Sequence, residues 1–224
     1  MSDLLQVERV DVAIDAMGVL RGFSLDVAPA EMVGLVGRNG AGKTTLLRAV
    51  MGHLAPQRGT IRLFGADMRR IPVHARAATG VGYMPEHRQL VPELTVEENI
   101  LLPVWVSKTL ARRDRLDFVY GFLPELAGMR DRPAQLLSGG QQKLVALARA
   151  MAVGTRLLLL DEPFEGVAPV LSERLSEVIA GLKRERLGVL IAQSNMNHAN
   201  RLFDRTCLIE RGTNVAEGQP AAAH

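Results

Sequence analysis

Residues 37–44 read Gly37-Arg38-Asn39-Gly40-Ala41-Gly42-Lys43-Thr44 and match the pattern G-x-x-x-x-G-K-[S/T]. The apolar run 32–36 before them is typical of a buried strand, and the pattern over 44–51 predicts a helix. Glycines let the backbone curl so that successive N–H groups point inward, and the following helix adds its positive end. The sequence therefore predicts a loop that cradles phosphate groups. The alternative is a flexible turn, which leaves the lysine and threonine in register unexplained.

Each residue of this phosphate loop has an expected part in nucleotide binding. We expect Lys43 to contact the β- and γ-phosphates as a catalytic residue, and Thr44 to ligate Mg²⁺. The predicted cofactors are therefore ATP and Mg²⁺. The residues predicted to bind ATP from this loop are Gly37, Asn39, Gly40, Ala41, Gly42, Lys43, Thr44 and Thr45.

A second buried strand ends in two acids. Residues 157–160 are four leucines, and Asp161 and Glu162 follow them. The carboxyl ends of parallel strands face the crevice in which ligands bind. We therefore expect Asp161 to hold Mg²⁺ through its water shell, and Glu162 to orient and polarise the attacking water as the catalytic acid–base group. Taken alone, two solvated acids at a strand end would explain the pattern as well, but the phosphate loop favours the catalytic interpretation.

A third motif precedes Asp161 by 23 residues, in the run Leu137-Ser138-Gly139-Gly140-Gln141-Gln142. Ser138 and Gln141 have the spacing of a capping box, so an ordinary helix start is one interpretation. In the other interpretation, Ser138 and the N–H groups of Gly139 and Gly140 present a second anion site at a helix N-terminus.

Strands and helices alternate along the chain, which predicts an α/β fold with a mainly parallel sheet covered on both faces. A helical insert interrupts it, with breaks expected at Pro92, Pro103 and Pro124. We expect a single domain over 1–224, with an ATPase core at 1–86 and 136–218, a helical subdomain at about 87–135 and a tail at 219–224. The predicted strands are 4–10, 23–27, 32–36, 61–64, 81–84, 157–160 and 188–192, with helices at 141–151 and 171–182 and an antiparallel hairpin over 206–217.

The composition limits the classes of partner. Of the 224 residues, 47% are hydrophobic and only 4% are aromatic, so we expect a packed core and no base-stacking surface for nucleic acid. The net charge is +3 and the charged residues are dispersed along the chain, so we expect no continuous basic surface for a polyanion. One cysteine, Cys207, allows no internal disulfide. No apolar run reaches the ~18 residues of a spanning helix, so we expect any membrane role to come through a partner.

Together, these motifs resemble those of the ATP-binding cassette (ABC) family over nearly the whole chain, from Leu4 to about Gly218. Residues 37–45 are similar to the Walker A motif, 137–142 to the LSGGQ signature, and 157–163 to Walker B with its glutamate. The resemblance implies a P-loop ABC ATPase fold and ATP hydrolysis coupled to transport across a membrane. It also implies that two cassettes pair head to tail. The signature residues that would then serve the ATP of the partner are Ser138, Gly139, Gly140 and Gln141.

A closer resemblance is to the ATPases of branched-chain amino acid importers and their urea or amide relatives. It rests on residues 81–86, 94–99 and 161–169. It implies import of a small polar solute, with branched-chain or other amino acids as the expected cargo and urea or short amides as the alternative. The expected partners are a second ABC ATPase in a homo- or heterodimer, integral membrane permease subunits and an extracytoplasmic solute-binding protein. The expected location is the cytoplasmic face of the inner membrane, through the permease subunits.

Three positions differ from the general family pattern. Ile14 stands where an aromatic residue usually stacks on adenine, and Glu86 stands at the Q-loop position, where a carboxylate can still meet Mg²⁺. Ser194 stands where the family usually has a switch histidine. We expect Ser194 to take a catalytic part and hydrolysis to be slow but real. His198, four residues later, is the other candidate for that part.

Other functions stay open at the level of sequence. A DNA-acting ATPase of the SMC type carries a coiled coil between these motifs, whereas the segment from Lys43 to Ser138 lacks heptads. A non-transport ABC factor usually holds two cassettes in one chain. Glu162 argues against a regulatory module without hydrolysis, whereas Ser194 and Ile14 keep that alternative open. Export is also open, because the cassette alone does not encode direction.

Overall fold

A computed structural model of the protein describes residues 3–107, 109–195 and 201–215. Strands and helices alternate over most of this length, and four short 3₁₀ turns link some of them. The strands are β1 (Leu5–Ile14), β2 (Met17–Val27), β3 (Met32–Val36), β4 (Arg58–Leu63), β5 (Ala66–Asp67), β6 (Val81–Met84), β7 (Leu157–Asp161), β8 (Gly188–Gln193), β9 (Arg205–Glu210) and β10 (Thr213–Asn214). The helices are α1 (Lys43–Met51), α2 (Val73–Arg76), α3 (Val96–Trp105), α4 (Arg112–Phe122), α5 (Pro124–Ala127), α6 (Gly139–Val153) and α7 (Pro169–Leu182).

Two sheets organise these elements. The larger one has the order β10-β9-β3-β8-β7-β6, and all of its strands except β10 run parallel. The smaller one is antiparallel, with the order β2-β1-β4-β5. The mainly parallel sheet, the helical insert and the antiparallel part all agree with the architecture that the sequence predicted.

The four leucines of β7 show why this strand is apolar throughout. All four have no exposed surface, and they alternate between two hydrophobic clusters on opposite faces of the parallel sheet. Leu157 and Leu159 pack with α1 and the antiparallel sheet, whereas Leu158 and Leu160 pack with α3, α6 and α7. A strand that is buried on both faces has no solvent-facing side for polar residues, so its sequence is one continuous apolar run. The same burial fixes the position of the two acids that follow it.

Several predicted boundaries are corrected by the structure. β1 and β2 extend well beyond the predicted 4–10 and 23–27, because they pair with each other along most of their length. α6 begins at Gly139, two residues before the predicted start at 141. The end of the predicted hairpin, the 219–224 tail and His198 lie outside the described residues.

The helical insert contains one proline inside a helix. Pro103 was predicted to break the pattern, yet it lies within α3, which ends two residues later at Trp105. The prediction of a break there was wrong. Burial of Ile100 and Val104 outweighs the hydrogen bond that the proline removes from the last turn.

Candidate functional site

The phosphate loop begins where a fully buried strand ends. β3 leads into Gly37, where an added Cβ would lie 2.2 Å from the carbonyl oxygen of Ile209. Gly40 and Gly42 have φ values of +81° and +113°, which residues with a side chain rarely adopt. Gly42 is also the N-cap of α1 and supplies no capping side chain. The first N–H groups of α1 are therefore open to an anion.

The Lys43 side chain lies over this loop. Its Nζ donates hydrogen bonds to the carbonyl oxygens of Gly37, at 2.7 Å, and Arg38, at 3.2 Å. The same Nζ lies 3.2 Å from Oε1 of Glu162, and the two side chains are only 5% and 4% exposed. The fold thus joins the lysine of the phosphate loop to the glutamate at the acidic strand end. Charges interact more strongly in such a poorly solvated site than at the surface.

Asp161 lies between two hydroxyl donors. Thr44 Oγ1 donates to its Oδ1 at 3.1 Å, and the Tyr83 hydroxyl donates to its Oδ2 at 3.4 Å. The pKa of Asp161 is raised from 3.8 to about 6, first by burial and then by the charges of Glu86 and Glu162, against the lowering effect of the two hydrogen bonds. Each change has a physical cause, since burial and neighbouring negative charge both disfavour the ionised carboxyl. The structure therefore brings Thr44 and Asp161 together, with Glu86 close enough to act through its charge.

The carboxylate of Glu162 is held on one side and free of hydrogen bonds on the other. Its Oε2 accepts from the backbone N–H of Ser194 at 3.1 Å and from the Ser194 hydroxyl at 3.2 Å. Its Oε1 is buried and accepts no hydrogen bond, although the ammonium of Lys43 is near. Glu162 adopts a left-handed φ of +47°, and its N–H donates to the carbonyl oxygen of Ala192 at 2.9 Å. An acceptor oriented in this way suits a group that binds a water molecule.

Mg²⁺ and ATP fit these residues on chemical grounds. The hydroxyl of Thr44 and the carboxylate of Asp161 are oxygen ligands of the kind that Mg²⁺ prefers. Across the described ranges, no group of three or more His, Cys, Asp and Glu residues could hold a metal ion. Thr44 and Asp161 by themselves would supply only part of an octahedral shell. Mg²⁺ usually completes its shell with phosphate oxygens and water, so the site suits an ion that is bound together with a nucleotide.

The third motif forms the start of α6. Ser138 Oγ accepts from the N–H of Gln141 at 3.2 Å, and the Gln141 side chain accepts from the N–H of Ser138 at 2.9 Å. The capping interpretation is therefore confirmed for the single chain. Ser138 and Gly139 are both exposed, so a group outside this chain can still reach the helix start.

The predicted adenine contact lies at the end of β1. Ile14 is 36% exposed and pairs across the strand turn with Met17, which is 73% exposed. The two side chains place exposed apolar surface at this end of the antiparallel sheet.

Two residues that contact the site were not predicted from the sequence. One is Tyr83, which donates to Asp161 from the end of β6. The other is Lys143 on α6, whose Nζ donates to the carbonyl oxygens of Glu162 and Glu165. The sequence does carry one signal for Lys143, since this charged residue lies directly beside the apolar face of its helix, where Leu144 is buried.

Comparisons with known proteins agree with this geometry. A sequence model with the description "ABC transporter" matches residues 20–165. The lipopolysaccharide export system ATP-binding protein LptB of Haemophilus influenzae is 34% identical over 219 residues, which cover 97% of this chain and 91% of the relative. The high-affinity branched-chain amino acid transport ATP-binding protein BraG of Pseudomonas aeruginosa is 32% identical, with 98% and 94% covered. A solved structure of an ATP-binding subunit of an ABC transporter has a TM-score of 0.85 and 28% identity, with 96% of this chain and 90% of the other covered.

Proposed function

The chain belongs to the ABC transporter family, and on that premise we propose that Glu162 polarises the attacking water in an ATPase site that Lys43, Thr44, Asp161 and Ser194 complete. The observation that carries this proposal is the divided environment of the Glu162 carboxylate. One oxygen is fixed by Ser194, and the other is a buried acceptor without a hydrogen bond that lies 3.2 Å from the ammonium of Lys43.

Membership of the family carries several properties with it. The chain is the ATP-binding subunit of an ABC transporter, and it binds and hydrolyses ATP with Mg²⁺. ABC ATPases dimerise, pair with membrane permease subunits and are membrane-associated through them. In the part of the chain that the structure describes, no helix combines the length and apolarity needed to cross a membrane.

In the proposed mechanism, the phosphate loop and Lys43 neutralise the charge on the transferred phosphoryl group. The N–H groups at the start of α1 point at the phosphates, and the residues Gly37, Asn39, Gly40, Ala41, Gly42 and Thr45 complete the loop. Thr44 and Asp161 would hold Mg²⁺, with Glu86 as a neighbouring carboxylate. When bound there, the ion would supply charge stabilisation to the phosphate oxygens.

Glu162 acts on the nucleophile. Oε1 accepts a hydrogen bond from the water and increases its nucleophilicity as the oxygen approaches phosphorus. Ser194 prevents rotation of the carboxylate, because its two hydrogen bonds engage the other oxygen. Slow but real turnover follows from this arrangement, since a serine replaces the histidine usual in the family.

The second anion site is proposed to act between chains. Ser138, Gly139, Gly140 and Gln141 would bind the ATP held by a second cassette, while Ile14 would pack on the adenine of this chain's own ATP. The exposure of Ser138, Gly139 and Ile14 supports both assignments. We also propose the division into an ATPase core at 1–86 and 136–218 and a helical subdomain at about 87–135, with the latter as the surface that meets a permease.

For the cargo we propose import of branched-chain or other amino acids, served by an extracytoplasmic solute-binding protein, with urea or short amides as related cargo. The similarity to BraG over 98% of this chain supports this choice. The similarity to LptB over 97% of the chain supports a second candidate, lipopolysaccharide export. In either case the chain would lie on the cytoplasmic face of the inner membrane, bound to permease subunits. A regulatory ATPase without a permease is the remaining alternative.

The first test uses the tagged full chain, captured from native membranes in detergent and assayed for ATP turnover. We expect a multi-spanning protein to co-purify. We expect Glu162→Gln to lower kcat by ~100-fold or more, because a general base contributes 10²–10⁴-fold. Glu185→Gln, an exposed acid after α7, is the matched control and should leave kcat unchanged.

The subunits that co-purify with the chain identify the class of cargo. A solute-binding protein whose binding of a branched-chain amino acid raises turnover supports import, whereas stimulation by lipopolysaccharide with no such protein supports export. Turnover that is equal in Glu162→Gln and in the unmodified chain would contradict the proposed site.

A further inference from the structure

Lys143 is a buried cation on the helix that starts with the third motif. It is 2% exposed and lies one turn into α6. Its Nζ donates hydrogen bonds to the carbonyl oxygens of Glu162, at 2.8 Å, and Glu165, at 2.7 Å. The side chain thus connects α6 to the backbone that carries the proposed catalytic carboxylate.

The burial of this ammonium has an energetic cost. Among the ion pairs within the described residues, Lys143 takes part in none, so its partners are neutral carbonyl groups. Burial lowers the pKa of Lys143, as does the charge of Arg88, against the opposing charges of Glu165, Glu162 and Glu86. An ammonium group buried without a counter-ion is costly unless its hydrogen bonds offset the lost hydration. A function other than stability would therefore explain the lysine.

The two carbonyl groups lie at the two ends of one tight turn. Residues 162–165 form this turn, which the N–H of Glu165 closes by donating to the carbonyl oxygen of Glu162 at 3.2 Å. Glu162 begins the turn with a φ of +47°, in the left-handed region that residues with a side chain rarely adopt. The ammonium of Lys143 holds both ends and opposes the relaxation of Glu162 to a negative φ.

We propose that Lys143 is a positioning residue for Glu162, which keeps the 162–165 turn in the conformation that directs the carboxylate toward Lys43 and Ser194. This inference rests on the proposed catalytic role of Glu162. Lys143 acts through the backbone carbonyl groups of the turn.

The experiment compares three substitutions of Lys143 in the full chain bound to its membrane partner. Lys143→Met keeps the length and removes the donors, Lys143→Gln keeps an amide donor, and Lys143→Arg keeps the charge and the donors. We expect Lys143→Met to lower kcat by roughly tenfold or more, equivalent to at least about 1.4 kcal/mol, with the KM for ATP and nucleotide affinity changed by less than about twofold. Lys143→Gln should be intermediate, and Lys143→Arg should restore most of the lost kcat.

Arg76→Met is the matched control for loss of a buried cation that donates to carbonyl oxygens. Arg76 is 8% exposed and donates to the carbonyl oxygens of Val50, at 2.9 Å, and Met68, at 2.8 Å, outside the 162–165 turn. It should leave kcat unchanged even where it lowers the melting temperature. If Lys143→Met fails to fold, Lys143→Gln and Lys143→Arg give the same comparison.

Two results would overturn the proposal, and they are distinguishable. If kcat falls only in step with the melting temperature, in Lys143→Met and Arg76→Met alike, then Lys143 is structural although Glu162 remains catalytic. If Glu162→Gln itself leaves kcat unchanged, the proposed function fails first and the positioning role fails with it. A double variant Lys143→Met/Glu162→Gln should turn over no more slowly than Glu162→Gln alone, because both act on one group.

Discussion

Ser194 donates two hydrogen bonds to the same oxygen of Glu162, one from its backbone N–H at 3.1 Å and one from its hydroxyl at 3.2 Å. The register of the parallel sheet produces this contact. Asp161 at the end of β7 pairs with Ala192 in β8, so the residues just beyond both strand ends meet at one edge. Ser194, at the position where a histidine is usual in the family, therefore contacts the proposed catalytic carboxylate.

Removal of the Ser194 hydroxyl should slow hydrolysis. Ser194→Ala keeps the backbone hydrogen bond and loses the one from the hydroxyl. A hydrogen bond to a charged group is worth about 1.5–3 kcal/mol, so we expect kcat to fall by roughly tenfold with little change in nucleotide affinity.

Steady-state kinetics on the membrane complex would measure the effect of Ser194→Ala. Ser176→Ala is the control, because that hydroxyl donates only to the carbonyl oxygen of Ser172 in its own helix. Equal kcat values for Ser194→Ala and Ser176→Ala would show that the hydroxyl contact has no catalytic part.

The start of α6 allows a test that separates capping from catalysis. Ser138→Ala and Thr95→Ala each remove the capping residue of a complete capping box, at α6 and α3. Each should lower the free energy of unfolding by about 1 kcal/mol. Only Ser138→Ala should also lower ATP turnover, by roughly tenfold or more, because only that hydroxyl is proposed to meet the ATP of a second cassette. Parallel urea titrations and turnover assays compare the two, and equal loss of turnover would leave capping as the whole role of Ser138.

The phosphate loop should not tolerate a methyl group at its first glycine. In Gly37→Ala the new Cβ would lie 2.2 Å from a backbone oxygen, that of Ile209, so the loop or β9 must move. We expect ATP affinity to fall by at least about tenfold, because displaced N–H groups no longer meet the phosphates.

Titration with a fluorescent ATP analogue would test Gly37→Ala. Gly121→Ala is the control, since no atom lies within 4 Å of its added Cβ, and α4 should gain stability from the alanine. Unchanged affinity in Gly37→Ala would mean that nucleotide binds elsewhere.

Asp161 should make stability depend on pH in the absence of Mg²⁺ and nucleotide. Burial raises its pKa from 3.8 to about 6, so the folded chain binds the proton more tightly than the unfolded chain. The contribution to stability is then fully present below pH 3.8 and is lost as the pH rises through 6. The asparagine in Asp161→Asn cannot ionise, so this variant does not lose that contribution to stability.

We therefore expect the unfolding free energy of Asp161→Asn to rise relative to that of the unmodified chain between about pH 4 and pH 7, by ~3 kcal/mol, and then to level off. Urea denaturation at each pH measures the difference. A difference that stays constant over this range would show that Asp161 is not destabilised by burial. Saturating Mg²⁺ and ATP should reduce the difference at neutral pH, because the ionised carboxyl is then used as a ligand.

The amino-acid sequence by itself determined the fold class and the residues that form the phosphate loop and the acidic strand end. A phosphate loop needs glycines and a lysine at fixed local spacing, and a strand buried on both faces is an apolar run, so residues 37–44 and 157–162 can be recognised without any long-range information. The start of helix α6 can be recognised from local sequence in the same way, because its capping box spans only four residues.

Only the tertiary structure decided which of these residues meet. Lys43 reaches Glu162, Ser194 fixes the same carboxylate, and Lys143 holds its backbone, although these residues are far apart in the chain. Such contacts depend on the order of strands in the sheet and on the packing of α6 beneath it. Local sequence does not encode either one, because many strand orders satisfy the same pattern of apolar and polar residues.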